Sequence, residues 1–273
     1  MTILVTGATG LVGERLIPRL LEAGHACRAL VRRPTALPGE VEQVHGELSD
    51  RDSLAAAVAG VSAVVHLAAV FRTDDDQLIW RSNLDGTRNL IAAVRSHAPD
   101  ARFIMASTTN VYDVDCPRPS REDDPVTPSH AYPASKLAAE HELAASGLAW
   151  SVLRFGFVYG DGDGHIESMA TLAAQGQARF HPAMRMSVVH HRDIAQAVRL
   201  ALAGRFDGRV VNIADDAPAA MYELFGLVGE AMEPSSEPLP MPWRLQVDNS
   251  LARSLGFHPE VHTVFEAARA GTL

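Results

Sequence analysis

An α/β fold built on a doubly wound parallel sheet is predicted from three observations. Short apolar runs alternate with amphipathic stretches through the first two thirds of the chain. The runs are apolar on both faces, as in Val61-Ser62-Ala63-Val64-Val65, which suits strands covered from both sides. A glycine-rich turn joins the first apolar run to the first amphipathic stretch. In order, the pattern predicts a strand near 2–6, a helix over 11–23, a strand over 26–31 and a short strand over 41–45. A helix over 50–59, a strand over 61–67, a long helix over 75–97 and a strand over 102–106 follow, then a helix over 131–146 and a strand over 149–155. Beyond Gly160 the pattern loosens into a loop to Gly164, a helix over 165–175, a helix from Asp193 to Ala203 with Asp193 as its cap, and a returning strand Arg209–Ile213. Pro234, Pro238, Pro240 and Pro242 mark an extended segment, and helices close the chain from about 248. The expected organisation is a core over 1–160 with returning elements near 188–215, and a small C-terminal cap over 161–273 interleaved with it.

Composition excludes several classes. The 273 residues are 47% hydrophobic and 21% charged, which speaks against both disorder and a membrane span. The apolar run at the start is too short for a signal peptide and lacks a basic leader, so it is read as a strand. A net charge of −9 argues against nucleic acid or an anionic membrane as partner. Cys27 and Cys116 are read as reduced thiols, and a cytoplasmic location is expected.

Two motifs carry chemistry. Thr6-Gly7-Ala8-Thr9-Gly10-Leu11-Val12-Gly13 follows Ile3-Leu4-Val5 and opens the first helix, so backbone N–H groups can approach a pyrophosphate at the helix N-terminus: a dinucleotide fingerprint. Tyr132 and Lys136 stand one helical turn apart on one face. A phenol beside a fixed cation loses its proton more readily, which suits Tyr132 to acid/base work in hydride chemistry at a carbonyl or alcohol. His190 and His191 are neighbours with no third ligand at suitable spacing, so no metal is expected.

In that order and separation, these motifs resemble the extended branch of the short-chain dehydrogenase/reductase family, the NAD(P)-dependent epimerase/dehydratase type. Further matching stretches are Gly46-Glu47-Leu48-Ser49-Asp50, His66-Leu67-Ala68-Ala69, Asn83 to Leu90, Ser107 to Tyr112, Leu153-Arg154 and Val158-Tyr159-Gly160. The resemblance runs from Thr2 to about Asn212 and implies a Rossmann-like sheet with a small C-terminal substrate cap. It also implies a catalytic set of Thr108, Tyr132 and Lys136, with Lys136 lowering the phenol pKa and holding the nicotinamide ribose. The implied cofactor contacts are Gly7, Thr9, Gly10, Leu11 and Val12 at the phosphates, Glu47 and Leu48 beside adenine, Leu67, Ala68 and Ala69 along the adenine-side ribose, and Asn83 and Phe155 nearer the nicotinamide. Where NAD enzymes of the family place a carboxylate after the second strand, this chain has Val31 followed by Arg32 and Arg33. Two guanidinium groups without the acid favour a 2′-phosphate, so NADP(H) is expected over NAD(H).

Family members that act on nucleotide sugars resemble one another at an Asn that is Phe157 here, and at an Arg that falls near Met186, with Arg185 one place off and Arg179 and Arg192 as possible substitutes. The substrate pocket is expected from Val70, Phe71, Trp80, Thr109, Phe157, His165, Met169 and His181, a mixture suited to a small, partly apolar carbonyl compound or a sugar without its nucleotide. Thr108-Thr109-Asn110 lacks the two carboxyl groups of the family's sugar dehydratases. An oxidoreductase and an epimerase would use the same residues, whereas NmrA-like proteins that sense NADP share the turn and the arginines but lack the Tyr-Lys pair. The resemblance further implies a homodimer through helices 75–97 and 131–146, the latter carrying Ala131, Ala134, Ala138, Ala139 and Ala145.

Overall fold

The computed structural model describes residues 1–112 and 116–273. Strand β1 (Thr2–Thr6) enters the glycine turn and leaves it as helix α1 (Gly13–Glu22), which lays Leu16, Ile17 and Leu20 on the sheet. Strands β2 (Ala26–Val31) and β3 (Glu42–His45) follow, then α2 (Arg51–Val58), capped by Asp50, which accepts from Asp52 N at 3.1 Å, and β4 (Ala63–His66). The run expected as one helix over 75–97 is three pieces: α3 (Asp76–Trp80), a π-helical turn over Arg81–Asp85, and α4 (Gly86–His97). Strand β5 (Arg102–Thr108) ends in a 3₁₀ turn over Thr109–Val111, and α5 (Ala131–Ala144) leads to β6 (Trp150–Phe155). The remainder is β7 (Phe157–Tyr159), α6 (His165–Ala174), β8 (Arg185–Met186), β9 (Val188–His190), α7 (His191–Leu202), β10 (Arg209–Ile213), β11 (Ala219–Ala220), α8 (Met221–Leu227), α9 (Ser250–Ser254) and α10 (Val264–Ala270).

Seven strands pair in the order β10-β6-β5-β4-β1-β2-β3, and every pair in this sheet is parallel. The sheet is Rossmann-like: the chain reverses its direction of travel between β1 and β4, and such a switch opens a crevice at the carboxyl ends of the strands. Helices α1 and α7 cover one face, packing Leu16, Ile17, Leu20, Ile194 and Val198 against Ile3 and Val5. The other face takes Leu54, Val58, Leu90, Val94 and Leu143 from α2, α4 and α5 against Leu4, Val64 and Phe103. A separate cluster of Tyr159, Ile166, Met169, Met186, Leu224, Phe225 and Val264 gathers the late elements over one end of the sheet.

Asp193 is not the cap of α7. His190 takes that place, its Nδ1 accepting from Arg192 N at 3.1 Å, while Asp193 is buried inside the first turn and accepts from Glu260 N at 2.6 Å. Both cysteines are free, with Cys27 buried. Among the described residues no helix is long and apolar enough to cross a membrane, and no group of three or more acidic, His or Cys side chains is placed to hold a metal.

Candidate active site

A cleft of about 1560 Å³ runs along the carboxyl ends of the strands. Single-ligand pockets are roughly 300–1,000 Å³, so this one has room for a dinucleotide and a second molecule. Its floor is the glycine turn. Gly7 has φ +74°, and a Cβ there would stand 2.7 Å from Ala68 N; a Cβ on Gly13 would stand 2.2 Å from Gly7 O. Those two glycines are needed by the fold itself. Gly10 is different: a Cβ would meet only Gly7 O, at 3.3 Å, and the space it keeps open is the cleft it lines. An open, backbone-lined cradle before α1 fits a dinucleotide's phosphates. Thr9, Leu11 and Val12 line the same floor, as do Leu67, Ala68 and Ala69 after β4, Glu47 and Leu48 after β3, and Phe155 at the end of β6.

A chain of hydrogen bonds stiffens this floor and also fixes a tautomer. Thr87 Oγ1 donates to Asn83 O at 2.6 Å, so at 2.9 Å it accepts from His66 Nε2. His66 Nδ1 is then the acceptor for Thr6 Oγ1 at 2.6 Å. Burial pulls this imidazole down to about 3, with Lys136 adding to the effect, and it stays neutral. Asn83 lies one layer behind the cleft, where its amide clamps both backbone groups of Val70, at 2.8 and 2.9 Å, and meets Ser135 Oγ at 3.1 Å. It ties the loop after β4 to α5.

Arg32 and Arg33 stand at the exposed outer end of the cleft, beyond a buried Val31. Neither guanidinium makes an ion pair or hydrogen bond with any described residue. Glu47, the nearby acid, accepts from Ser49 Oγ at 2.7 Å.

At the inner end, Thr108, Tyr132 and Lys136 line one stretch of wall. The Thr108 hydroxyl faces the Tyr132 phenol closely enough to ease its deprotonation. Successive residues of β5 face opposite ways, and Ser107 Oγ is engaged by Glu140 on the other side. Thr108 is therefore the hydroxyl of Ser107, Thr108 and Thr109 that meets the phenol. Burial pushes the Tyr132 phenol up to about 12, against a smaller opposing pull from Thr108. Lys136 is 2% exposed, and burial lowers its ammonium to about 8, with Glu140 opposing the fall. The expected acidification of the phenol by its lysine neighbour is thus reversed: desolvation dominates both groups, and the phenol holds its proton.

Glu140, which the sequence reading passed over, anchors a buried polar network under α5. It receives Arg154 at 2.6 and 3.1 Å, Arg154 donates to Tyr112 Oη at 2.6 Å, and Tyr112 donates to Asn212 Oδ1 at 2.9 Å. Glu140 and Arg154 are 3% and 5% exposed, so each charge depends on the other. The signal was available: an Arg in mid-strand flanked by apolar residues needs a buried acid, and Glu140 lies one turn beyond Lys136.

The rest of the cleft is walled by Val70, Phe71, Leu78, Thr109, Phe157, His165, Phe180, Met186 and Leu245, with Arg81 and Arg244 as cations. Phe71 lies 5.5 Å from the Tyr132 ring, and Phe157 stacks on His165 at 4.2 Å. Three expected residues lie elsewhere. Trp80 sits on α3 about 200° round from Leu78, whereas Arg81 and Ser82 share the Leu78 side. Met169 is buried in the cluster of late elements, and His181 lines a separate cavity, where its Nε2 meets Glu237 O at 3.0 Å. Arg244, in the proline-rich segment, was missed because that segment has no period to place it. Arg185 turns to Pro218 O at 3.0 Å, Arg192 pairs with Asp161, and Arg179 faces the separate cavity.

Fold and cleft together define an enzyme of the NAD(P)-dependent dehydrogenase and epimerase class. The model of the NAD dependent epimerase/dehydratase family matches residues 3–214, and the chain belongs to that family, within the extended short-chain dehydrogenase/reductases. A 3 beta-hydroxysteroid dehydrogenase/Delta 5→4-isomerase of Mycobacterium tuberculosis is 29% identical over 84% of this chain and 69% of its own length. The dTDP-6-deoxy-L-talose 4-dehydrogenase (NAD(P)(+)) of Kitasatospora kifunensis is 29% identical over 97% of this chain and 92% of its own. A short-chain dehydrogenase/reductase superfamily protein of Agrobacterium tumefaciens, solved with bound NAD, superposes with a TM-score of 0.80 at 26% identity, covering 99% of this chain and 97% of that one.

Proposed function

We propose that this chain is an NADP(H)-dependent oxidoreductase that interconverts a ketone or aldehyde and an alcohol on a small, largely apolar substrate, with 161–273 acting as the substrate cap. One observation carries the reading: Thr108, Tyr132 and Lys136 open onto the same cleft as the glycine turn and the free Arg32 and Arg33. The nicotinamide supplies or accepts a hydride when bound. Tyr132, protonated across the neutral range, donates its proton to the substrate carbonyl oxygen during reduction, and Thr108 holds that oxygen from the other side. The Lys136 ammonium faces the same region, stabilising the phenolate left behind and binding ribose hydroxyls. Phe157 and Met186, together with the outward turn of Arg179, Arg185 and Arg192, support a substrate without a diphosphate.

Membership of a family that includes epimerases supports a second reading, an epimerase that returns the hydride to the opposite face. Incubation with NADPH and a panel of ketones, aldehydes, sugar lactols and nucleotide sugars separates the two. Stoichiometric loss of the reduced-nicotinamide absorbance is expected; product formation at constant absorbance would establish the epimerase instead. A homodimer through α4 and α5 is supported by the half-exposed to exposed row Ala134, Ala138, His141 and Ala145 on α5. Light scattering at micromolar protein that returned 29.3 kDa would remove it.

A further inference from the structure

His165 stands at the cap side of the cleft, as the first residue of α6. Three contacts hold it. Its backbone N–H donates to Asp163 Oδ1 at 2.8 Å, its ring stacks on Phe157 at 4.2 Å with 22° between planes, and Nδ1 lies 2.8 Å from Val158 O. A backbone carbonyl only accepts, so the Nδ1 proton is fixed by its partner. A neutral ring then leaves Nε2 as a bare lone pair. Nε2 has no partner among the described residues and is not sealed from solvent.

The groups facing this ring favour neutrality. Burial lowers His165, and Arg72 and His191 add to the fall; the bond to Val158 O and the Asp163 carboxylate oppose it. Asp163 is itself committed to His191 Nε2 at 2.8 Å, both side chains being almost wholly buried. Phe157 stacks on this ring, Phe180 and Met186 line the same cleft, and Arg72 is the nearby cation. A fixed, half-buried acceptor discriminates strongly, because a ligand that covers it without donating leaves it unpaired.

We propose that His165 Nε2 is a built acceptor for a substrate hydroxyl other than the reacting one, so that the enzyme selects hydroxyketones or diols over their deoxy counterparts. This rests on the oxidoreductase reading above. It adds a donor that the apolar wall alone would not require.

The test uses rigid ketone pairs with the hydroxyl at increasing distance from the carbonyl: 4-hydroxycyclohexanone, 6-hydroxy-2-decalone and 17β-hydroxy-5α-androstan-3-one, each against its deoxy analogue, with NADPH. At least one pair is expected to show about a tenfold or greater preference in kcat/KM for the hydroxylated member, the worth of one good hydrogen bond to a buried acceptor. His165→Phe should bring that ratio to about one, and His165→Gln, which keeps an acceptor oxygen, should restore part of it. Ratios near one in the unaltered protein, or unchanged in His165→Phe, overturn the proposal. If no ketone is consumed, the oxidoreductase reading fails instead, and His165 is still read directly. In ¹⁵N-histidine-labelled, NADP⁺-loaded protein at pH 7, long-range ¹H–¹⁵N spectra should show an unprotonated Nε2 that shifts with a hydroxylated compound and not with its deoxy analogue. A protonated Nε2, or no selective shift, overturns the assignment.

Discussion

Two buried polar clusters lie a few strands apart and are built in opposite ways. Under α5, Glu140, Arg154, Tyr112 and Asn212 satisfy one another, with Ser107 closing the end of the chain. Where the late elements meet the sheet, Tyr159, Asp193 and Asp215 each leave an oxygen buried with no partner among the described residues. Burial accordingly raises Asp193 to about 6 and Asp215 to about 8, and pushes the Tyr159 phenol far up. The first cluster holds fixed charge in place beneath α5. In the second, burial favours the protonated form of all three groups, so its charge depends on pH.

The largest effect should fall on the reacting centre. Tyr132→Phe deletes only the proton-transferring oxygen, so turnover should fall by about 10²–10⁴-fold while cofactor affinity, measured by fluorescence titration, stays within a factor of two or so. A variant retaining more than roughly a tenth of the rate would remove Tyr132 as the acid/base and detach the paired cluster from catalysis. Glu140→Ala leaves Arg154 as an unpaired buried cation and should cost about 3–5 kcal/mol in urea unfolding. A loss below about 1 kcal/mol would mean that water reaches the pair and that the contrast between the clusters is false.

Replacing Arg32 and Arg33 with Ala should weaken NADPH binding by about 1.5–3 kcal/mol per lost charge-assisted contact and leave NADH almost unchanged. Calorimetry showing tighter NADH than NADPH binding in the unaltered protein would reverse the cofactor preference.

The second cluster predicts a smaller, pH-dependent effect. Asp215 is raised when folded and ordinary when unfolded, so its contribution is full below about pH 4 and is lost as pH rises through about 8. Asp215→Asn, always uncharged, should match the parent's thermal midpoint at low pH and exceed it at pH 9. Parallel midpoint curves for the two proteins would show that this carboxyl does not titrate in that window.

The same contrast explains what could be read in advance. Strand β2 falls at 26–31 and β10 at 209–213, as expected, because long apolar runs in a parallel sheet leave a strong pattern. Strands β7, β8, β9 and β11 have two or three residues each, too few for a period, and β7 and β8 supply Phe157, Val158 and Met186 to the cleft wall. The floor residues Gly7, Gly10, Arg32 and Leu67 all reach the cleft, since turns at strand ends place them regardless of what packs above. Trp80, Met169 and His181 do not, because their placement depends on helix phase and on how the late chain folds back.

Helix phase has one more consequence. The π-helical turn over Arg81–Asp85 works as a one-residue spacer between α3 and α4, two helices that otherwise share one axis of sequence. Removing a residue there would restore regular winding and rotate α3 by about 100° relative to the anchored Asn83 side. Leu78 would swing off the cleft wall and Trp80 would turn toward it, with no substitution on α3 itself. The spacer is therefore a dial on pocket shape, set by chain length alone, and a single codon deletion or insertion is the mutational step that would turn it.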